Sequence, residues 1–260
     1  MRKVVLIMLI VASMHCTGQA NWQLAPPILR YNSGFFSDTT SLTINFNQPG
    51  AEIHYTNNGE EPGMNDLLYK APIRIRKNVT IKAKAFGKGF LPSKTVAASF
   101  MKQGKEVKGI YFSPPNPAHA NTPLNVLYDN IGGHTNLDDG TWLAYDRDTI
   151  EIDIELKKVS SVSSVFVSVL HDEDSWIFLP EQIELFYFDE KKKQYQPVGK
   201  EVNFCESPSP KESSLRQIIA RQDIKTNKLM LIVHPFKKIP DWHTGKGKHA
   251  WVFIDEIKVY

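Results

Sequence analysis

Near the C-terminus, Asp255 and Glu256 stand side by side in WVFIDEIKVY, an adjacent carboxyl pair of the kind acid–base chemistry could use. Hydrolysis of a glycosidic bond needs two carboxyl groups placed across one scissile bond, so direction matters more than number. Neighbours in a strand point to opposite faces, which predicts an acid and a base that cannot cooperate. A nucleophilic triad is no better supplied. His171, His234, His243 and His249 are available, but no Ser sits in a Gly-flanked elbow, and Cys205 falls in the polar run NFCESPSP. Zinc finds no His-x-x-x-His or paired-Cys spacing. The tryptophans offer another chemistry: an indole stacks on the apolar C–H face of a sugar ring while Arg, Asn, Asp or His bind its hydroxyls. Trp142 with Arg147, His171 with Trp176, and Trp242 with His243 each fall at a strand–loop junction. The same indoles can instead close the end of a core. Trp176 and Trp251, inside SWIFL and AWVFI, read as core; Trp242, in the polar loop after Pro240, reads as exposed; Trp142 reads either way.

The elements that must hold these residues are strands. Pro, Gly and Asn punctuate short runs with alternating polarity along the chain, the pattern of an all-β protein. In SLTINF, Leu42, Ile44 and Phe46 share one face. Strands follow at 52–56, 73–76, 80–86 and 96–100, with Lys and Arg on their outer faces. The polar stretch 103–109 reads as a linker, and a second unit runs over 110–260. Its strands are expected at 150–156, 162–170, 182–189, 215–220, 228–233 and 251–259. Its long loops, 116–140 and 236–248, are where a rigid sandwich would carry binding. No stretch holds a helical period, and no Gly-rich phosphate loop appears.

The first twenty residues, MRKVVLIMLIVASMHCTGQA, have two cations, an apolar run from Val4 to Ala12, and a small-residue exit at Gly18-Gln19-Ala20. That order predicts a signal peptide over 1–20 and a secreted product, periplasmic or at the cell surface. Cys16 is the less favoured alternative, a lipid anchor. The apolar run is far short of the ~20 residues a spanning helix needs, so no integral membrane segment is expected in the mature chain. Removing Arg2 and Lys3 takes two from the formal charge of +3. No clustered basic surface remains to argue for nucleic acid.

Two resemblances sharpen this. IHYTNNGEEP (53–62) and LLYKAPIRIRKNVTIKAKAFGKGFLPSK (67–94) carry a Tyr-Thr strand end, a Gly-Glu-Pro turn, a Pro-Ile strand and a Thr-Ile-Lys-Ala strand. In these the 21–102 segment resembles the chitobiase C-terminal, fibronectin-III-like module found beside the catalytic barrel of β-hexosaminidases. LYDNIGG (127–133), DDGTWLAYDRDTIEIDI (138–154), DSWIFLPEQIELFYFDE (174–190) and PDWHTGKGKHAWVFIDEI (240–257) resemble the discoidin-like, coagulation factor 5/8 type C domain that ends many β-hexosaminidases of Bacteroidetes. The resemblance implies two β-sandwiches in series, an Ig/fibronectin-III-like module followed by a discoidin-like jelly roll, neither of them catalytic. A barrel of the kind that carries hexosaminidase chemistry takes ~250 residues, and the two modules leave it no room.

The resemblance also implies a calcium site in which an early Asp loop meets a late Glu. Asp129, Asn130 and Glu256 are the matching positions, with carbonyls from Asn130 to His134 as further ligands. The alternative is that Glu256 pairs with a Lys or Arg and Asp129 caps its own turn. The function implied is non-catalytic: a carbohydrate-binding or accessory protein of hexosaminide utilisation, with a hexosamine-containing glycan and a glycoside hydrolase as partners. The competing reading is a structural or protein-interaction module that supports a hexosaminidase-type enzyme without holding sugar.

Overall fold

The structure, a computed structural model, describes residues 22–119, 122–123, 125–133, 137, 140–202 and 212–260, with the side chains of 212–217 set aside. The leader at 1–20 with Cys16, and also His134, Asp138, Asp139 and Cys205, lie outside the described residues. Everything described is strand, turn and loop apart from three single-turn 3-10 helices. Among the described residues no helix is long and apolar enough to cross a membrane.

The first unit holds β1 (Ile28–Arg30), β2 (Phe35–Phe36), β3 (Thr40–Asn45), β4 (Ala51–Thr56), β5 (Leu67–Leu68), β6 (Ile73–Ile75), β7 (Val79–Gly87) and β8 (Val96–Lys102). One sheet runs β1-β3-β6 and the other β2-β8-β7-β4-β5. Alternation explains the core. Leu42 and Ile44 of β3 face Ile53, Ile75, Ile81, Ala83 and Phe100, while Ser41 and Thr43 turn outward.

The second unit holds β9 (Val107–Phe112), β10 (Leu143–Tyr145), β11 (Ile150–His171), β12 (Gln182–Asp189), β13 (Gln194–Val202), β14 (Glu212–His234) and β15 (Val252–Val259). The two runs expected at 150–156 and 162–170 are one strand, and so are those at 215–220 and 228–233. The register between β11 and β14 slips between Glu155 and Ser160 and again between Val162 and Ser164. These irregularities bend a continuous ribbon over itself, because bulges raise local twist. The early half of β11 pairs with β9, and its later half pairs with β15. Ile152, Ile154 and Leu156 thereby share one core with Val165, Val167, Val169, Ile254 and Ile257.

The expected linker is not loose chain. The Lys105 amide donates to the Val259 carbonyl at 2.7 Å, Lys157 N–H donates to Glu106 O at 2.9 Å, and β9 already starts at Val107. Polarity there marks a strand edge facing water. The two units also touch directly. Ser33 Oγ donates to Asn130 O at 3.0 Å, and the Gly132 amide donates to Ser33 Oγ at 3.3 Å. The Tyr260 hydroxyl donates to the Lys102 carbonyl.

Gly104 sits where the crossing is tightest, since a Cβ there would lie 2.0 Å from the Val259 carbonyl oxygen. Backbone cannot yield as a flexible side chain does, so Gly104→Ala is expected to lower the thermal midpoint by several °C, the effect of roughly 1–3 kcal/mol of overpacking. Gly109→Ala, whose Cβ would meet Tyr111 at an ordinary 3.7 Å, serves as the control and is expected to change little. Scanning calorimetry of both variants checks the contrast; equal midpoints would contradict it.

Candidate functional site

Three turns meet at one end of the second sandwich: 146–149, 172–177 and 235–251. The first is tied to the third by Asp148, whose carboxylate accepts from His249 at 3.1 Å and lies 3.7 Å from Lys237 Nζ. The second is closed by paired amide bonds between Asp172 and Ile177, at 2.9 and 3.0 Å. Within it, Ser175 Oγ donates to Asp172 Oδ2 at 2.8 Å, and buried His171 bonds Glu173 Oε1 at 2.9 Å. Trp176 ends this single 3-10 turn in a left-handed conformation, φ 63°. That twist breaks the alternation of SWIFL and rolls the indole outward, 38% exposed.

The third turn rests on Phe178, Ile239 and Ala250, with Phe236 beside them. Ile239 N–H donates to Lys248 O at 2.7 Å, Gly247 N–H to Ile239 O at 3.0 Å, and Ala250 N–H to Phe236 O at 3.0 Å. Trp242 lies 6.3 Å from the Phe178 ring, and His243 lies 5.4 Å from it, edge-on. The Trp242 indole is also 38% exposed. Gly245 brings the second and third turns together: a Cβ there would stand 2.9 Å from the Trp176 ring. Its amide donates to His243 Nδ1 at 3.0 Å, which leaves Nε2 to carry the proton. The end therefore shows two partly exposed indoles and an imidazole N–H donor on loops fixed by backbone bonds.

Of the residues singled out from sequence, Trp242, His243 and Trp176 come together here. His171 is buried beneath them and holds Glu173, so it supports the turn and offers nothing to a ligand. Trp142 is a correction. It is 1% exposed and packs with Ala144, Leu170, Ile177 and Phe253. A Cβ on Gly133 would meet its ring at 2.2 Å, so the indole is sealed under loop 129–133. Arg147 is exposed on the neighbouring turn, and its guanidinium donates to the Pro114 carbonyl at 3.4 Å, away from Trp142. Phe178, Gly245 and the Asp148–His249 pair were not singled out. The glycines in HTGKGKH were the available signal for the second of these.

Asp255 and Glu256 correct the opposite-faces argument. The β11–β15 register steps from Ser168↔Glu256 to Val169↔Ile254, so Asp255 is the extra residue of a β-bulge. Ile254 and Ile257 both enter the core, and the two carboxyls between them turn to the other side, under loop 129–133. There the Gly133 amide donates to Asp255 Oδ2, and the Asn130 amide donates to Glu256 Oε2 at 2.7 Å. Lys258 Nζ donates to Glu256 Oε1 at 2.9 Å and to Asn130 Oδ1 at 2.7 Å. The same ammonium stands 5.3 Å over the Phe35 ring of the first unit. Asn130 takes φ 67°, a left-handed geometry that Asn tolerates. Asp129 caps its own turn through Ile131 N–H at 2.8 Å.

These residues as arranged do not fit calcium. A hard cation needs six to eight oxygens, whereas both Glu256 oxygens, one Asp129 oxygen and Asn130 Oδ1 are already engaged, and Lys258 supplies the positive charge. Among the described residues no group of three or more His, Cys, Asp or Glu could hold a metal ion. Adding calcium or a chelator is expected to leave the thermal midpoint unchanged within about a degree. A calcium-dependent rise of several degrees would show the ion displacing the ammonium.

Catalysis finds no access here, because Asp255 and Glu256 are each 1% exposed. Burial pushes the Asp255 carboxyl up to about 7, against the bonds from Ser168 and Gly133, and among the described residues Oδ1 has no partner. Burial likewise lifts Glu256 to about 7 against the pull of Lys258. Both groups ionise near 4 in the unfolded chain. Between about 4 and 7 the folded state holds more protons, so these groups weaken stability as pH rises through that window and no further above it. Asp255→Asn is expected to flatten the fall, by roughly 1 kcal/mol per pH unit, when the midpoint is followed from pH 5 to 8. A variant whose profile runs parallel to the wild type would contradict the assignment.

The family model of the chitobiase/beta-hexosaminidase C-terminal domain matches residues 31–97. No curated protein sequence matches the chain. Among solved structures, the family 32 carbohydrate-binding module of Streptococcus pneumoniae EndoD is similar at 15% identity, covering 61% of this chain and 96% of its own, with a TM-score of 0.39. A Clostridium perfringens module in complex with GalNAc-beta-1,3-galactose is 13% identical over 58% of this chain and 93% of its own, TM-score 0.38. A Ruminococcus gnavus GH29 fucosidase is 13% identical over 58% of this chain at TM-score 0.34, and the match spans only 24% of that enzyme. Likenesses this slight carry no argument about the chain.

Proposed function

We propose that this chain is a secreted, non-catalytic carbohydrate-binding or accessory protein that serves hexosamine-containing glycans and works beside a glycoside hydrolase. The ligand is held at the aromatic end of the second sandwich by Trp242 and Trp176, with His243 donating to a hydroxyl. The observation that carries this is the pair of indoles, each 38% exposed, on loops locked over Phe178 and against each other through Gly245. Rings fixed before binding lose little entropy when a sugar stacks on them. The family match over 31–97 supports the hexosaminide context, and the apolar leader at 4–12 supports export. The protein grips without cutting, since the two adjacent carboxyls are sealed beneath loop 129–133.

Calorimetric titration with an N-acetylglucosamine oligomer tests the reading. The wild type is expected to bind weakly, and Trp242→Ala and Trp176→Ala are each expected to weaken binding about tenfold, near 1.4 kcal/mol. Trp242→Phe should recover part of the loss. Absence of binding by the wild type, or full binding by both Ala variants, would overturn it.

A further inference from the structure

The outer face of β1-β3-β6 carries a feature that the aromatic end does not use. Arg30 of β1 lies directly across from Thr43 of β3, and Ser41 of β3 directly across from Arg74 of β6. Directly paired residues project from the same face, and so do residues two apart in a strand. Arg30, Thr43, Ser41 and Arg74 therefore form one diagonal across the sheet, turned away from Leu42 and Ile44 in the core. They line an open groove of about 1020 Å³, together with Tyr31 and Asn32.

Its charge is one-sided. The lining includes two guanidinium groups and no carboxylate. Among the described residues neither arginine has an ion-pair partner, although the chain is rich in surface pairs. The acid nearest to Arg30 in sequence, Asp38, lies 3.7 Å from Lys102 Nζ instead. Both arginines are exposed, so their forks are free to meet a planar anion with two parallel hydrogen bonds.

The spacing narrows the ligand. Arg30 and Arg74 stand two strands and two residues apart, a Cα separation of roughly 12 Å from standard strand spacing and rise. A lone small anion reaches both forks only if both side chains fold over the hydroxyls between them. An extended chain with repeated negative groups meets each where it stands. Two cations are too few for nucleic acid, whose affinity rests on neutralising many phosphates. The groove floor suits a saccharide: Ser41, Thr43 and Asn32 can exchange hydrogen bonds with hydroxyls. Tyr31 closes one rim of the groove, its ring held edge-on 5.0 Å from Phe100.

We propose that this groove is a second glycan site, selective for an extended acidic saccharide whose carboxylates are held by Arg30 and Arg74. The site lies on the first unit, so it stands or falls separately from the aromatic end. A polymer bearing both hexosamine and uronate sugars could engage both units of one chain.

Titration in low salt with a galacturonate oligomer, a neutral N-acetylglucosamine oligomer and sodium sulfate tests this. The acidic oligomer is expected to bind the wild type, and Arg30→Gln and Arg74→Gln to weaken it roughly tenfold each. Arg30→Lys should restore only part, because charge returns without the fork. Trp242→Ala should leave uronate binding unchanged while weakening the neutral oligomer. A wild type that ignores the acidic oligomer would overturn the proposal, as would glutamine variants that bind it normally. Sulfate binding as tightly as the oligomer would reduce the groove to a spot for single anions. Loss of uronate binding in Trp242→Ala would move the acid to the other end. The arginines are exposed, and thermal midpoints within a degree of wild type would confirm that the variants are folded.

Discussion

A single irregularity in the last strand organises much of the second unit. Because β15 carries one residue too many opposite Ser168 and Val169, Asp255 and Glu256 leave the core together and rise under loop 129–133. Two carboxyls in so dry a place are tolerable only if each is answered. Backbone amides of Gly133 and Asn130 answer one oxygen apiece, and Lys258 answers Glu256 as a whole charge. A buried pair of this kind adds little net stability over an apolar packing, yet losing one partner costs about 3–5 kcal/mol. Its value is in specifying geometry. It fixes the loop that closes over Trp142 and carries the Ser33 and Phe35 contacts to the first unit.

That arrangement explains why the adjacent carboxyls can look catalytic in sequence and be structural in the fold. Acid–base work on a sugar needs water-accessible groups around a cleft; these two face a lid made of their own hydrogen-bond donors. The positive charge beside Glu256 is supplied by the chain itself, as Lys258, two residues on. Surface chemistry is left to the sheet ends and faces. At one end, aromatic rings sit on loops whose backbone bonds are internally satisfied. On the first unit, two arginines flank a row of hydroxyls.

The all-β class and most strands were legible, because alternation such as Leu42/Ile44 against Ser41/Thr43 reports directly which face meets water. What escaped was anything set by register. The long strands β11 and β14 each looked like two, since the bulges that bend them fall among polar residues such as Lys157, Ser160 and Thr226. The bulge at Asp255 was invisible, because it depends on how β15 pairs with Ser168 and Val169 and on no residue type. The tryptophans show the same limit. Trp242 sat in a loop that announced itself through Pro240, Gly245 and Gly247. Trp176 sat in an apolar run, and only its left-handed backbone turned it outward. Trp142, after the Gly140 turn, read either way in sequence, and loop 129–133 decides for burial by folding across it. The Lys258 partner to Glu256 was foreseeable as a class of outcome, though not as that residue.

On the proposed function, the 172–178 and 239–249 loops grip the sugar and the 255–258 cluster is a concealed brace. Following backbone amide resonances while an N-acetylglucosamine oligomer is added distinguishes these roles in one experiment. The expected result is shifts confined to those two loops, silent amides at Asp255, Glu256 and Lys258, and an oligomer recovered at its original length. Shifts centred on Asp255 and Glu256, accompanied by shortened sugar, would contradict it.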